Sequence, residues 1–256
     1  MRRETEYRPK RTGERPIKPE PVLLHRAEEA RRAGQVDAAL KLARRAAAAA
    51  PEQPGPIFLL CLLLLERRDP EANALLVRLE RFADYGPGWE MLGHGLAPFH
   101  PAAARIAFER AATAYATAEA EAPTVELAYR TGIVQRQLGN PAGAMSALER
   151  ATALDPAHAA WFLLGLLRQD AHDLAGAAQA FRSVIAANPN HHEAAFNLAV
   201  VLQETGDVEA ALDQYARAWR LRPDSFGRIA QALVSPAVGR LWLQPGALMR
   251  DLAARA

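Results

Sequence analysis

The sequence predicts an all-α fold built from repeated helix–turn–helix units, and three observations carry that reading. A pattern recurs about every 34 residues between Val125 and Pro223, a period that belongs to helical solenoids. There "WFLLGLLRQDAHDLAGAAQAFRSVIAANP" lies above "AFNLAVVLQETGDVEAALDQYARAWRLRP", with residues of like size at like offsets. No stretch shows the sustained period-two alternation of β-branched and aromatic residues that marks a strand. Proline and glycine sit mainly at turns, in a 256-residue chain that is 50% hydrophobic and rich in Ala, Leu, Arg and Glu.

The first 18 residues carry Arg2, Arg3, Arg8, Lys10, Arg11, Arg15 and Lys18 among prolines and acids, with almost nothing apolar to bury. They are expected to form a disordered basic arm, a solvated tail in the first reading and a contact for an acidic partner surface in the second. Residues 20–53 read as a first helical pair, because Leu23, Ala27, Ala39, Ala43 and Pro51 keep the repeat spacing around a turn at Gly34. The next stretch, "PIFLLCLLLLERRDPEANALLVRLERF", splits into two helical segments at Asp69-Pro70 and puts Asn73 where a small residue belongs. It reads as a degenerate copy. A further pair runs through Trp89, Leu92 and Gly93, then Ala104 and Phe108, one residue short between its halves. Its turn carries Pro98 and Pro101, and no proline follows until Pro123, so the second helix is expected to overrun.

Three clear copies follow. Ala128, Thr131, Gly132, Ala144, Leu148 and Pro156 become Trp161, Leu164, Gly165, Ala177, Phe181 and Pro189, then Ala195, Leu198, Ala199, Ala211, Tyr215 and Pro223. The small residues at Gly132, Gly165 and Ala199 let the first helix of a pair approach the second, where small Ala144, Ala177 and Ala211 meet it. Leu164, Leu198, Phe181 and Tyr215 fill the space around that contact on helical spacing. Asn140, Asp173 and Asp207 stand where each can cap the second helix, and Pro141 suits a first turn whose N–H would have no partner. Pro156, Pro189 and Pro223 stop each pair.

After Pro223 the pattern ends. Phe226 to Val234 reads as an extra helix over the open end of the array, since a terminal repeat would otherwise expose its apolar face. Beyond it lie Leu241, Trp242 and Leu243, then a short amphipathic helix after Pro245 with Leu248, Met249 and Leu252. This segment is read as a second cap, with docking on a partner as the competing role. The organisation is thus an arm at 1–18, repeats at 19–224 and capping helices at 225–256.

Catalytic signatures are missing from the sequence: it has no phosphate-binding glycine loop, no H-E-x-x-H and no G-x-S-x-G. No enzyme activity and no cofactor are expected. With 31 basic against 29 acidic side chains, no global field points to nucleic acid. The single cysteine, Cys61, excludes an internal disulfide, and within "FLLCLLLLE" it reads as a small packing residue. That apolar run is too short to cross a bilayer, and no apolar segment follows the basic residues at the start, so cytoplasmic residence is the expectation. His191 and His192 are adjacent at a loop-to-helix junction and read as solvent-facing, while His94 and His100 flank an irregular turn with no further ligand in view, so no metal site is expected.

The small-residue, aromatic and proline positions of the last three copies resemble the tetratricopeptide repeat, W-x2-L-G-x2-Y, then A-x3-F, then P. The resemblance covers residues 20–223, most closely in those three copies. It implies a right-handed α-solenoid of about six repeats whose first helices line a concave groove for a peptide from a partner. On that alignment Tyr129, Phe162 and Phe196 share one groove position, and Ile133, Leu166 and Val200 share another a turn later. Arg130 and Asn197 lie between them, and Arg136, Gln169 and Gln203 beyond. The aromatic ladder also has a structural reading, as packing between repeats. The lysine-rich set of the family's carboxylate-clamp adaptors is absent. The function expected is a non-catalytic adaptor for a protein or peptide partner. The alternatives are a recognition subunit of a bacterial enzyme complex of the sulfotransferase or glycosyltransferase type, and a scaffold that self-associates.

Overall fold

The computed structural model describes residues 19–234 and 245–255, and the expectations for the arm at 1–18 and for Leu241, Trp242 and Leu243 lie outside them. The described residues hold fourteen α-helices and no strand. The chain divides into two compact units, Met1–Pro101 and Ala102–Ala256.

In the first unit, α1 (Pro19–Arg32) pairs with α2 (Val36–Ala49) across Gly34, whose φ of +72° is a backbone shape that glycine adopts without strain. Ala27, Ala39 and Ala43 are buried between the two helices and nearby α3. Then α3 (Pro54–Glu66) runs through the middle of the unit against α2, α4 (Glu71–Leu79) and α5 (Gly86–Leu96). Its residues from Pro56 to Leu64 are all buried, the pattern of a helix surrounded by neighbours. Cys61 meets α4 through a 4.0 Å contact from Sγ to the carbonyl oxygen of Ala72. Ala72 is buried and Asn73 exposed, so the small position of this degenerate copy falls one residue earlier than the repeat spacing predicts. Phe58 packs edge-on to Trp89 at 5.0 Å, and the Trp89 indole donates to the Phe82 carbonyl at 3.0 Å.

The second unit begins within α6 (Pro101–Glu121), the overlong helix that the missing proline predicts. The two halves of that copy, α5 and α6, fall in different units. Three hairpins follow: α7 (Val125–Gln137) with α8 (Pro141–Leu154), α9 (Ala160–Asp170) with α10 (Leu174–Ala187), and α11 (His192–Glu204) with α12 (Val208–Leu221). Asn140, Asp173 and Asp207 cap the second helix of each, accepting from the backbone N–H of Gly143, Gly176 and Ala210. The small contacts are tight: a Cβ on Gly165 would lie 2.7 Å from the Phe181 ring, and one on Gly132 would lie 2.7 Å from Leu148. At the C-terminal end, α13 (Phe226–Val234) packs on α11 and α12, and α14 (Pro245–Arg255) packs on α12. Ile229, Leu233, Leu248 and Leu252 are buried in the same apolar cluster as Leu198 and Tyr215. Arg255 fastens α14 through ion pairs with Glu209 at 2.7 Å and Asp213 at 2.9 Å.

Candidate functional site

The first helices of the three hairpins carry the ladder, and each of its aromatics leans on a residue at or near the start of the helix that opens the following unit, α9, α11 or α13. Tyr129 stands edge-on to His158 at 4.9 Å, Phe162 lies 4.8 Å from the His191 ring, and Phe196 sits under the Arg228 guanidinium at 3.8 Å. The histidines are held by the backbone: His158 Nδ1 accepts from the Ala160 N–H at 3.1 Å, and His191 Nδ1 from the Ala194 N–H at 3.2 Å. Each ring is therefore oriented through its Nδ1.

The ladder borders two cavities, one between the second and third hairpins and one between the third hairpin and α13. One, of about 160 Å³, is lined by His158, Phe162, Val184, Asn188 and His191, among others. The second, of about 210 Å³, is lined by His192, Phe196, Ala218, Arg222 and Ser225, together with Asp224 and Arg228. The first five positions of the two cavities correspond one to one at the repeat offset. The same hollow thus recurs at the repeat offset with different chemistry: no arginine or lysine lines the first, and two arginines line the second.

The expected groove residues divide into two groups. Tyr129, Arg130, Ile133, Phe162, Leu166, Gln169, Asn197 and Val200 are half-buried, and Arg136 is exposed. Arg136, Gln169 and Asn197 make no side-chain hydrogen bond among the described residues, whereas Arg130 is engaged by Glu126 at 2.5 Å. Two residues depart from the expectation. Phe196 is only 6% exposed, because Arg228 of α13 covers its face. Gln203 is fully buried: its amide donates to the carbonyl oxygens of Ala232 and Leu233, and its Oε1 accepts from Tyr215 Oη. It belongs to the seating of α13 and leaves the groove set. The adjacent histidines are corrected as well, since neither simply faces solvent. His191 caps α11, and His192 lies 2.8 Å from Glu193 and 3.1 Å from Arg222.

Among the described residues no cluster of three or more His, Cys, Asp or Glu side chains could hold a metal ion, and no described helix is long and apolar enough to cross a membrane. The residues that sequence reasoning missed are His158, Arg222 and Arg228. The repeat offset pairs His158 with His192 and Asn188 with Arg222, a signal present in the sequence, but Arg228 lies past the last repeat and has no counterpart.

The tetratricopeptide-repeat family model matches residues 102–159, 129–182 and 162–226 in overlapping registers. Residues 102–226 are tetratricopeptide repeats. The repeats have solved counterparts. The chain is similar to PilF of Pseudomonas aeruginosa, with a TM-score of 0.53 and 15% identity over 80% of this chain and 92% of that one. It is also similar to MamA of Desulfovibrio magneticus RS-1, with a TM-score of 0.46 and 17% identity over 80% and 95% of the two chains. A third is YrrB, described as a TPR protein with an unusual peptide-binding site, with a TM-score of 0.43 and 19% identity over 79% and 86%. No curated protein sequence matches the chain significantly. At these identities the likeness to PilF speaks for the all-α tetratricopeptide fold, which in general supports a protein-interaction scaffold.

Proposed function

We propose that the protein is a non-catalytic adaptor that holds a segment of a partner protein along α7, α9 and α11. The observation that carries this reading is the recurrence of an aromatic-floored hollow at the repeat offset. A partner chain in extended or helical form can seat one side chain in each. Half-buried Phe162, Leu166 and Val200 supply apolar contact, and the unengaged amides of Gln169 and Asn197 supply hydrogen bonds to a partner backbone. Arg136 stands exposed at the border and would contact the polar rim of such a segment.

The test is site-specific photo-crosslinking of the full chain in its native cell. A crosslinker replacing Leu166 or Val200 should trap one common protein, and one replacing exposed Arg182 on α10 should not. Phe162→Ala should weaken that capture by a factor corresponding to about 1–3 kcal/mol, as for an interface anchor. Equal trapping at all three positions, or undiminished capture by Phe162→Ala, would exclude this face as the binding surface.

A further inference from the structure

We infer that the cavity bordered by α11, α12 and α13 receives the carboxylate of an aspartate or glutamate side chain on the bound partner segment; the inference rests on the adaptor reading above. The lining is an unusual mixture for so small a hollow. Phe196 and Ala218 form an apolar floor, and Arg222, Arg228 and His192 stand around it against a single acid, Asp224. The acid is already committed: Asp224 accepts from Arg222 Nε at 3.1 and 3.4 Å, and a second Arg222 nitrogen lies 3.1 Å from His192 Nε2.

Arg228 is the cation left over. Its guanidinium lies flat enough on the Phe196 ring to place Cζ 3.8 Å from the centroid, and among the described residues it pairs with no carboxylate. A guanidinium stacked by its face keeps its N–H edge for other partners, and that edge has the fork geometry of a carboxylate. Arg222 and Arg228 are both exposed, so their N–H groups are accessible to a partner side chain. With two guanidiniums against one carboxylate, the cavity carries an uncompensated positive charge that the chain as a whole, at a formal net charge of +2, does not spread over its surface.

The neighbouring cavity sharpens the assignment. At the equivalent positions it holds His158, Val184 and Asn188, with no arginine or lysine. A nucleic acid backbone needs cations in succession along its track, and the repeat before offers none here. A peptide needs only one acid at one point. The pattern therefore favours a segment with an apolar side chain at Phe162 and an acidic one at Arg228.

The experiment selects random dodecapeptides, displayed with their C-termini fused to the carrier so that only side-chain carboxylates are available, against the full chain. Asp or Glu should be enriched at one position of the selected set. Selection against Arg228→Glu should replace that acid by Lys or Arg. A synthetic consensus peptide, followed by fluorescence anisotropy, should lose about tenfold in affinity to Arg228→Gln, the size of one charge-assisted hydrogen bond. Thermal unfolding of the variants controls for disturbance of α13, and Arg222→Gln serves as the second variant if Arg228→Gln unfolds early. Peptides that depend on Phe162 but show no acidic preference, or keep one against Arg228→Glu, would overturn this inference and leave the adaptor reading standing. Selection of no peptide at all would overturn both. Displacement of the peptide by a single-stranded DNA oligonucleotide, with tighter binding of that DNA, would assign the cavity to phosphate and overturn it too.

Discussion

Gln203 and Tyr215 are joined by a hydrogen bond of 3.0 Å from Tyr215 Oη to Gln203 Oε1, inside the last hairpin and out of reach of solvent. The other end of the same amide reaches the carbonyl oxygens of Ala232 and Leu233 at 3.3 and 3.4 Å, so one side chain ties α11, α12 and α13 together. Gln203→Leu should cost about 1–3 kcal/mol, because it strands a buried hydroxyl and removes the donor to α13. Tyr215→Phe, which removes only the hydroxyl, should cost less. Urea denaturation of the two variants decides it, and a neutral Gln203→Leu would show that the amide does not seat α13.

Cys61 provides a readout of the first unit that depends on pH. Burial pushes its thiol from the ordinary 9.0 up to about 12. Below pH 9 both folded and unfolded chains carry the neutral thiol, and the contribution of burial is intact. As pH rises from 9 toward 12, the unfolded chain ionises while the folded one resists, so stability falls through that window. Because the chain has one cysteine, a disulfide reagent at pH 8 should remain unreduced by the native protein and react with one thiol per chain on unfolding. Fast reaction in the native state would contradict the buried placement.

His172 takes the left-handed turn position, φ +59°, that Gly139 and Gly206 take in the neighbouring hairpins at +73° and +87°. A side chain in that region is strained by roughly 1 kcal/mol relative to glycine. His172→Gly should therefore raise the melting temperature slightly, and Gly206→Ala should lower it. Opposite signs for these two changes are the expected result, and a loss of stability in His172→Gly would mean that the imidazole makes a compensating contact.

Gly165 and Phe162 are three residues apart on α9 and should respond in opposite ways to size. Gly165→Ala forces a methyl group to 2.7 Å from the Phe181 ring and should destabilise the protein by about 1–3 kcal/mol. Phe162→Ala removes a ring that is only half-buried, and should cost less than Leu164→Ala, for which about 2–5 kcal/mol is usual. Phe196→Ala should resemble the core variant, since that ring is covered. Calorimetry on the four proteins checks the ranking.

Arg255 gathers three acids, Glu209, Asp213 and Asp251, and its guanidinium is held more firmly protonated by the hydrogen bond to Glu209 than by any other contact. Arg255→Ala should loosen α14 with a loss of at most about 1 kcal/mol, because the pairs are reached by solvent. The difference from the parent should shrink at high salt. An effect that is large and unchanged by salt would point to packing of the arginine stem instead.

The parts of this fold that were legible in the sequence are those decided by near neighbours. Asn140, Asp173 and Asp207 act on an N–H three residues away, and Gly34 and Gly206 mark turns by their own backbone, so offsets alone located them. The exposure of a ladder residue was legible where it depends only on its own helix, as for half-buried Leu166 and Asn197. It was not where a side chain arriving from another element decides exposure. Gln203 is buried by a helix 29 and 30 residues further on, and Phe196 is covered by Arg228, which belongs to no repeat. In the degenerate copy, one residue of slippage moved the small position from Asn73 to Ala72, a shift that helical periodicity cannot resolve when both flanks are alanine-rich.

The one-to-one match of the two cavities means that their selectivity is written in exchangeable positions. His158 and His192 hold one corner, Val184 and Ala218 a second, Asn188 and Arg222 a third. Moving the arginine across, with Asn188→Arg and Arg222→Asn, alters only exposed positions at the ends of α10 and α12 and leaves both apolar floors in place. The molecule is in that sense a short sentence of interchangeable words, in which order can be edited while the grammar of the scaffold stays the same.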